Sequence, residues 1–476
     1  MSLDFQRDAV VELAEQVRLG KMSARELVSH ALARIGALNG ALNAFVAVDG
    51  DAAMAAAADV DAIVARGDDP GPLAGIPIGV KDLEDAVGFR TTKGSPCFAD
   101  AEIATSDSIL VARLKAAGCV VVGKTNTPEL GWKGDTVNEV FGATLNPWDV
   151  ARSPGGSSGG SASAVASGMV PLATASDGGG SIRIPSALCG LAGFKASLGR
   201  VPSGGSAAPD WGHLSTRGPM ARSVADTVAA LDAVLGPDPS DLRSLAMPEP
   251  SWLGAIENAH LPMKVGWSPT LGYARVDDDV AAACRAAVDQ MADLGAEVIE
   301  IDTVFDGDPA LSWVTMTNAY NARTLAAYRD TPLWERIDPG LRSMADWGAG
   351  MSAVDLVKAE DECHQLNLRL IELFHDVRLL ITPTTAGPAP LSGQQGRING
   401  VETPNWVGFT YPFNMTRSPA GSITAGFTAD GLPVGLQLIG PQHGDLVVLR
   451  AMSALEAALG HSDRVAPVER LQTTHI

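Results

Sequence analysis

The sequence predicts an α/β protein: one large mixed, mostly parallel sheet flanked by helices, with a helical excursion over about residues 303–377. Three observations carry this. Amphipathic helical segments alternate with short apolar runs over much of the chain, the pattern of helices packed on a largely parallel sheet. The run Cys119-Val120-Val121-Val122 is apolar at every position, as a strand covered on both faces is. No internal repeat, low-complexity tract or clear linker divides the chain, so residues 1–476 are expected to form a single domain, although the length alone allows about three.

The elements follow in order. Residues 6–18 place Val10, Leu13, Ala14 and Val17 at helical spacing, ending at Gly20. Ser23 and Glu26 have the capping-box spacing of a second helix, with Leu27, Val28, Ala31, Leu32 and Ile35 inward. A strand near Ala44–Val48 and an alanine-rich helix from Asp51 to Ala65 come next, and Pro70-Gly71-Pro72 breaks the helix. Leu73–Val80 reads as a buried strand that delivers Lys81 and Asp82. Ser106 is expected to cap a helix that stops at Gly118, before the strand Cys119–Gly123. Gly159–Gly168 is helical in composition, Val170–Ala175 reads as a strand, and Ala221–Leu235 as an amphipathic helix.

From Met263 the pattern restarts with strand Met263–Trp267, helix Asp277–Leu294 and strand Glu297–Ile301. Helices dominate Ala310–Phe374, where Trp313, Tyr320, Tyr328, Trp334 and Trp347 read chiefly as packing residues. Strand Arg378–Thr382 leads to a hairpin at Asp430-Gly431, between Ser422–Phe427 and Val434–Ile439, and Asp445–Leu459 is a closing helix.

Composition bounds the function. With 46% hydrophobic and 19% charged residues the chain can bury a sizeable core. A net charge of −20 argues against nucleic acid or an anionic membrane as the main partner, because both need clustered Lys and Arg. The five cysteines are scattered and lack metal-ligand spacing; even the neighbours Cys363 and His364 point apart on a helix. Reduced, mostly buried thiols and no metal site are expected. No basic-then-apolar leader follows Met1, and no apolar run reaches the roughly 18 residues of a membrane span, so the expectation is a cytoplasmic protein.

Two glycine-dense turns hold the chemistry, Ser153–Ser161 and Asp177–Pro185. A phosphate loop would need a lysine after its last glycine, but Ser161 follows Gly160. Gly118–Thr125 matches the phosphate-loop pattern formally, yet its middle residues Cys-Val-Val-Val favour a strand. Gly155-Gly156-Ser157-Ser158-Gly159 fits the nucleophile-elbow pattern. A histidine base for it would come from His213 or His443, since His30, His364 and His375 lie in helical patterns and His461 and His475 near the chain's end. A lysine base is the remaining alternative. Lys81 leaves an apolar strand and could be desolvated enough to be neutral near pH 7, although a snorkelling lysine fits the same position.

The motif Gly75-Ile76-Pro77-Ile78-Gly79-Val80-Lys81-Asp82, the block 153–161 and Gly179-Gly180-Ser181-Ile182-Arg183-Ile184-Pro185 together resemble the amidase signature family. Gly123-Lys124-Thr125-Asn126, the segment from Gly218 to Asp226, and Gly431-Leu432-Pro433-Val434-Gly435-Leu436-Gln437 add to the likeness, in order, across residues 75–440. The resemblance implies the amidase signature fold and a Ser–cis-Ser–Lys triad. By motif position Ser181 is the nucleophile, Ser157 the relay following a cis Gly156–Ser157 bond, and Lys81 the base. Backbone N–H groups of Gly178, Gly179, Gly180 and Ser181 would form the oxyanion hole. Asp177 and Arg183 would either brace that turn or form an ordinary ion pair.

The family likeness implies no cofactor, a small-molecule amide substrate and compatibility with a homodimer. Gly178 replaces a larger residue common in relatives, which is expected to open the oxyanion hole to bulkier substrates. The amidase component of a tRNA-dependent amidotransferase usually reads Ile-Arg-Gln-Pro, whereas this chain has Ile182-Arg183-Ile184-Pro185, which favours a free-standing amidase. An intact Lys81, Ser157 and Ser181 argues against a non-catalytic binding module. Trp313, Asn318 and Tyr320 are candidates for the substrate pocket.

Overall fold

The structure, a computed structural model, describes residues 3–205, 208 and 210–474, so His475 and the first two residues lie outside it. Eleven strands form one sheet. They are β1 (Phe45–Val48), β2 (Pro77–Lys81), β3 (Val120–Thr125), β4 (Leu172–Asp177), β5 (Ala192–Lys195), β6 (Thr216–Ala221), β7 (Lys264–Trp267), β8 (Glu297–Glu300), β9 (Leu380–Pro383), β10 (Ala420–Phe427) and β11 (Pro433–Ile439). Their spatial order is β1-β3-β2-β4-β6-β5-β10-β11-β9-β7-β8.

The sheet is large, mixed and flanked by helices, as predicted. Its parallel pairing is confined to two flanks, β3–β2–β4 and β9–β7–β8. Between them, and at β1, every neighbour is antiparallel. Two features account for the difference. The segment Thr216–Ala221, to which the sequence assigns no element before a helix expected from Ala221, is a strand that inserts antiparallel between β4 and β5. The hairpin β10–β11 then fills the centre, with its turn where Asp430-Gly431 predicted it.

Most local signals hold. Ser23 and Glu26 form the capping box of the helix Ala24–Leu42, each satisfying the other's backbone donor. The helix Ile109–Ala116 is capped by Ser108 rather than Ser106: the Ser108 hydroxyl accepts from Val111 N–H. The phosphate-loop look-alike is strand β3, and its Lys124 is buried in an ion pair with Asp82 at 3.3 Å. The excursion between β8 and β9 contains helices Ala310–Leu325, Pro339–Gly350 and Ala353–Asp376. Tyr328 and Trp334 pack on a small core of Leu325, Ile337, Leu341 and Ala345, whereas Trp347 is exposed.

All five cysteines are free, with Cys119, Cys189 and Cys284 buried. No helix among the described residues is long and apolar enough to cross a membrane.

The arrangement of β2 and β4 positions the site. They are parallel neighbours, so Lys81 and Asp177 emerge at the same edge of the sheet. That edge, at the carboxyl ends of parallel strands, is where open α/β sheets bind ligands. After β4 the chain makes the Gly178–Ser181 turn and enters the helix Arg183–Cys189.

Candidate active site

Lys81 is the last residue of β2 and is wholly buried. Its Nζ lies 2.9 Å from Ser157 Oγ, 2.8 Å from Ser158 Oγ and 3.0 Å from Ser176 Oγ. Burial pulls the amine down to about pKa 7, against the opposing pull of Glu84 and Asp177. Hydroxyls can both donate and accept, so one cage serves both protonation states. An ammonium donates to all three; a neutral amine donates to two and accepts from the third. Ser158 Oγ lies 3.4 Å from the Ser176 carbonyl, an acceptor for its own proton, which leaves Ser157 and Ser176 as the hydroxyls suited to donate to the amine.

Sequence reasoning misses Ser158 and Ser176, although a signal for Ser176 is present. Along β4, Thr174 and Ser176 alternate with Ala173 and Ala175, so one face carries hydroxyls. Thr174 Oγ1 accepts the Lys81 backbone N–H at 2.8 Å, and Ser176 takes the side chain. The peptide bond Gly156–Ser157 is cis, as the resemblance implied.

Asp177 and Arg183 form the brace of the second turn. The guanidinium donates Nε to Asp177 Oδ2 and Nη2 to Oδ1, both at 2.9 Å, and both side chains are fully buried. Its other donors reach the Thr410 carbonyl, Gln437 Oε1 and Asn414 Oδ1. All five guanidinium donors are therefore satisfied. Burial alone would raise the Asp177 carboxyl, but Arg183 holds it well below the ordinary carboxylate range. The same carboxylate accepts the N–H groups of Gly180 at 2.7 Å and Ile182 at 3.2 Å, fixing the turn to the ion pair.

This geometry corrects two expectations. Gly180 N–H is committed to Asp177, which removes it from the predicted oxyanion donors. The N–H groups of Gly178, Gly179 and Ser181 have no protein acceptor among the described residues. The glycine run also does not open the turn. A Cβ on Gly178 would meet the Trp211 ring at 2.5 Å, and one on Gly179 would meet Trp313 at 2.4 Å. The space that the missing side chains leave is filled by indoles. Trp313 Nε1 donates to the Gly178 carbonyl at 2.9 Å and Thr410 Oγ1 to the Gly179 carbonyl at 2.6 Å, so both peptides are pinned.

Ser181 is half-buried and lines a cavity of about 210 Å³, together with Gly156 and Gly179. Its hydroxyl has no hydrogen-bond partner among the described residues, so the structure joins Lys81 to Ser157 directly, while Ser181 lines a cavity whose wall reaches the relay turn at Gly156 but includes neither Ser157 nor Lys81. Aromatic rings dominate the other walls. Trp313 stacks on Tyr411 (centroids 5.4 Å apart) and meets Trp211 edge-on (5.8 Å), and Trp132, Ile184, Val314 and Val407 are among the other apolar lining residues. Of the pocket candidates, Trp313 lines the cavity but Asn318 and Tyr320 do not. His213 and His443 are also absent from its walls.

A buried amine drawn down to about pKa 7 among serine hydroxyls, with a further serine and unpaired N–H groups at the wall of a largely apolar cavity, suits acyl transfer. The comparisons with known proteins agree with that chemistry. The chain is 36% identical to the acylamidase of Rhodococcus erythropolis over 96% of each protein. It is 34% identical to a glutamyl-tRNA(Gln) amidotransferase subunit of Synechococcus sp. (strain RCC307), over 90% of this chain and 92% of that one. Its fold superposes on the crystal structure of a bacterial aryl acylamidase with a TM-score of 0.90, at 28% identity over 98% of this chain and 99% of that one. The amidase family model matches residues 26–449, and the chain belongs to the amidase signature family of amide-hydrolysing enzymes.

Proposed function

We propose that the chain hydrolyses small carboxylic amides through an acyl-enzyme on Ser181, with Ser157 as relay and Lys81 as base. The observation that carries this reading is the buried amine of Lys81, held by Ser157 and poised near neutrality. As Ser181 Oγ attacks the amide carbon, its proton passes to Ser157, and the Ser157 proton passes to Lys81. The Ser181–Ser157 hydrogen bond is expected to close when substrate fills the cavity, because catalytic hydrogen bonds tighten in the substrate complex. The N–H groups of Gly178, Gly179 and Ser181 are the donors for the tetrahedral oxyanion. The relay then returns the proton to the departing amine, and water activated by the same relay cleaves the ester. Carboxylate and amine or ammonia are the products.

The cavity favours an uncharged, flat or aliphatic group beside the amide. Likeness to an acylamidase and an aryl acylamidase supports that substrate class. Amidotransferase subunits are relatives too, but Ile184 presents an apolar side chain to the cavity, which favours a free-standing amidase.

A fluorophosphonate probe tests the nucleophile. Peptide mass spectrometry is expected to find the adduct on Ser181 and none in Ser181→Ala. An adduct on another residue overturns the assignment. The base predicts a pH dependence. Lys81 must be neutral to accept a proton, so kcat/KM is expected to rise through about pH 7 and to level off above it. A rate independent of pH between about 5 and 9 contradicts the lysine base.

A further inference from the structure

Two carboxylates lie within the electrostatic reach of Lys81, and each has an arginine of its own. Asp177 is matched by Arg183. The other is Glu84, in the turn after β2, whose backbone N–H donates to the Lys81 carbonyl at 2.9 Å. Its side chain is only 1% exposed, and neither oxygen accepts a hydrogen bond among the described residues. Arg217 Nε approaches Oε1 at 2.5 Å, an ion pair outside hydrogen-bond geometry. Arg217 belongs to β6 and is the cross-strand partner of Ser176, whose Oγ accepts from Lys81 Nζ. Glu84 thus adjoins the lysine along the chain, and Arg217 adjoins it across the ladder.

A buried carboxylate next to the lysine, left alone, would favour its ammonium form, because opposite charges interact strongly where water is excluded. Glu84 pulls the amine toward its charged form and Arg217 pushes it back. Other charges surround these groups: the buried Lys195 on β5 acts on Asp177, and Lys124 on β3, which also feels Asp85, donates to the Glu84 backbone carbonyl. Asp177 on β4 is bound by Arg183, and Asp82, next to Lys81, is bound by Lys124 from β3.

We propose that Glu84 and Arg217 are positioning residues for the base, the Arg217 guanidinium on β6 cancelling the Glu84 charge in the turn beside Lys81. This rests on Lys81 being the base. The pair touches neither substrate nor reacting atoms; it acts through the lysine.

The test follows the rate of fluorophosphonate labelling of the full-length protein between about pH 5 and 9. Arg217→Gln leaves Glu84 uncompensated and is expected to move the acid limb up by about half a pH unit or more, a loss of about threefold on that limb. Glu84→Gln is expected to move it down by a similar amount. The double variant is expected to return near the parent position. A structural role would lower the plateau and leave the limb where it was. The proposal is overturned if both single variants keep the parent limb, and Glu84→Gln with the double variant decides the matter if Arg217→Gln does not fold. Lys81→Met separates the two readings. If it labels with the parent's acid limb, the lysine base falls and the pair with it; if it loses the limb while Glu84→Gln and Arg217→Gln leave theirs unmoved, only the pair falls.

Discussion

Ser181→Ala is expected to lower kcat by about 10⁴-fold or more while leaving the fold intact. Nothing in the protein depends on that hydroxyl, which lines the cavity without a partner of its own among the described residues. Lys81→Met should fall by a comparable factor for a different reason: the nucleophile remains but has nowhere to send its proton. The two losses should not add, because residues that act as one unit fail together. Initial rates on a small aryl amide, with thermal unfolding as the control for folding, check both. Retention of more than about a tenth of parental kcat in Ser181→Ala would rule out the nucleophile assignment.

The largest expected effect on stability is at Arg183. Arg183→Met removes the partner of a fully buried carboxylate and strands the acceptors on Thr410, Asn414 and Gln437. Breaking a buried pair from one side costs about 3–5 kcal/mol, mostly from the charge left behind. Arg183→Lys is expected to restore little, since an ammonium cannot supply the forked donor set that holds both Asp177 oxygens. Denaturant unfolding measures this, and a loss below about 1 kcal/mol would mean that the turn is held by something else. Activity should fall with stability, because Gly180 and Ile182 hang on the same carboxylate.

What could be read from the chain was what local chemistry dictates. The residues proposed as nucleophile, relay and base stand in motifs whose glycines, serines and strand-end lysine carry their own signals, as do the Ser23 cap and the Asp430-Gly431 turn. Strand β6 was hidden because Gly218 and Pro219 are poor strand residues, and its neighbours β4 and β5 supply the reason that it pairs. The cavity was hidden for a different reason. Trp132, Trp211, Trp313 and Tyr411 come from four separate segments, and no spacing links them. The Glu84–Arg217 pair is equally invisible in one dimension: each residue alone looks like an ordinary surface charge. Even the three glycines misled, because a sequence records the absent side chain but not the indole that occupies its place.

The five bonds of Arg183 also order events in time. Its partners Thr410, Asn414 and Gln437 lie 227 to 254 residues further along the chain. A growing polypeptide has therefore completed Lys81, Ser157 and Ser181 long before the groups that anchor the Gly178–Ser181 turn leave the ribosome. Thr410 and Asn414 lie just before the hairpin β10–β11 and Gln437 within it, and until that hairpin docks the edge of β5 that it covers is open. Long-range pairing of this kind folds slowly. A nascent chain of this protein thus holds all three proposed catalytic side chains before the last strands of the sheet that anchor their turn exist.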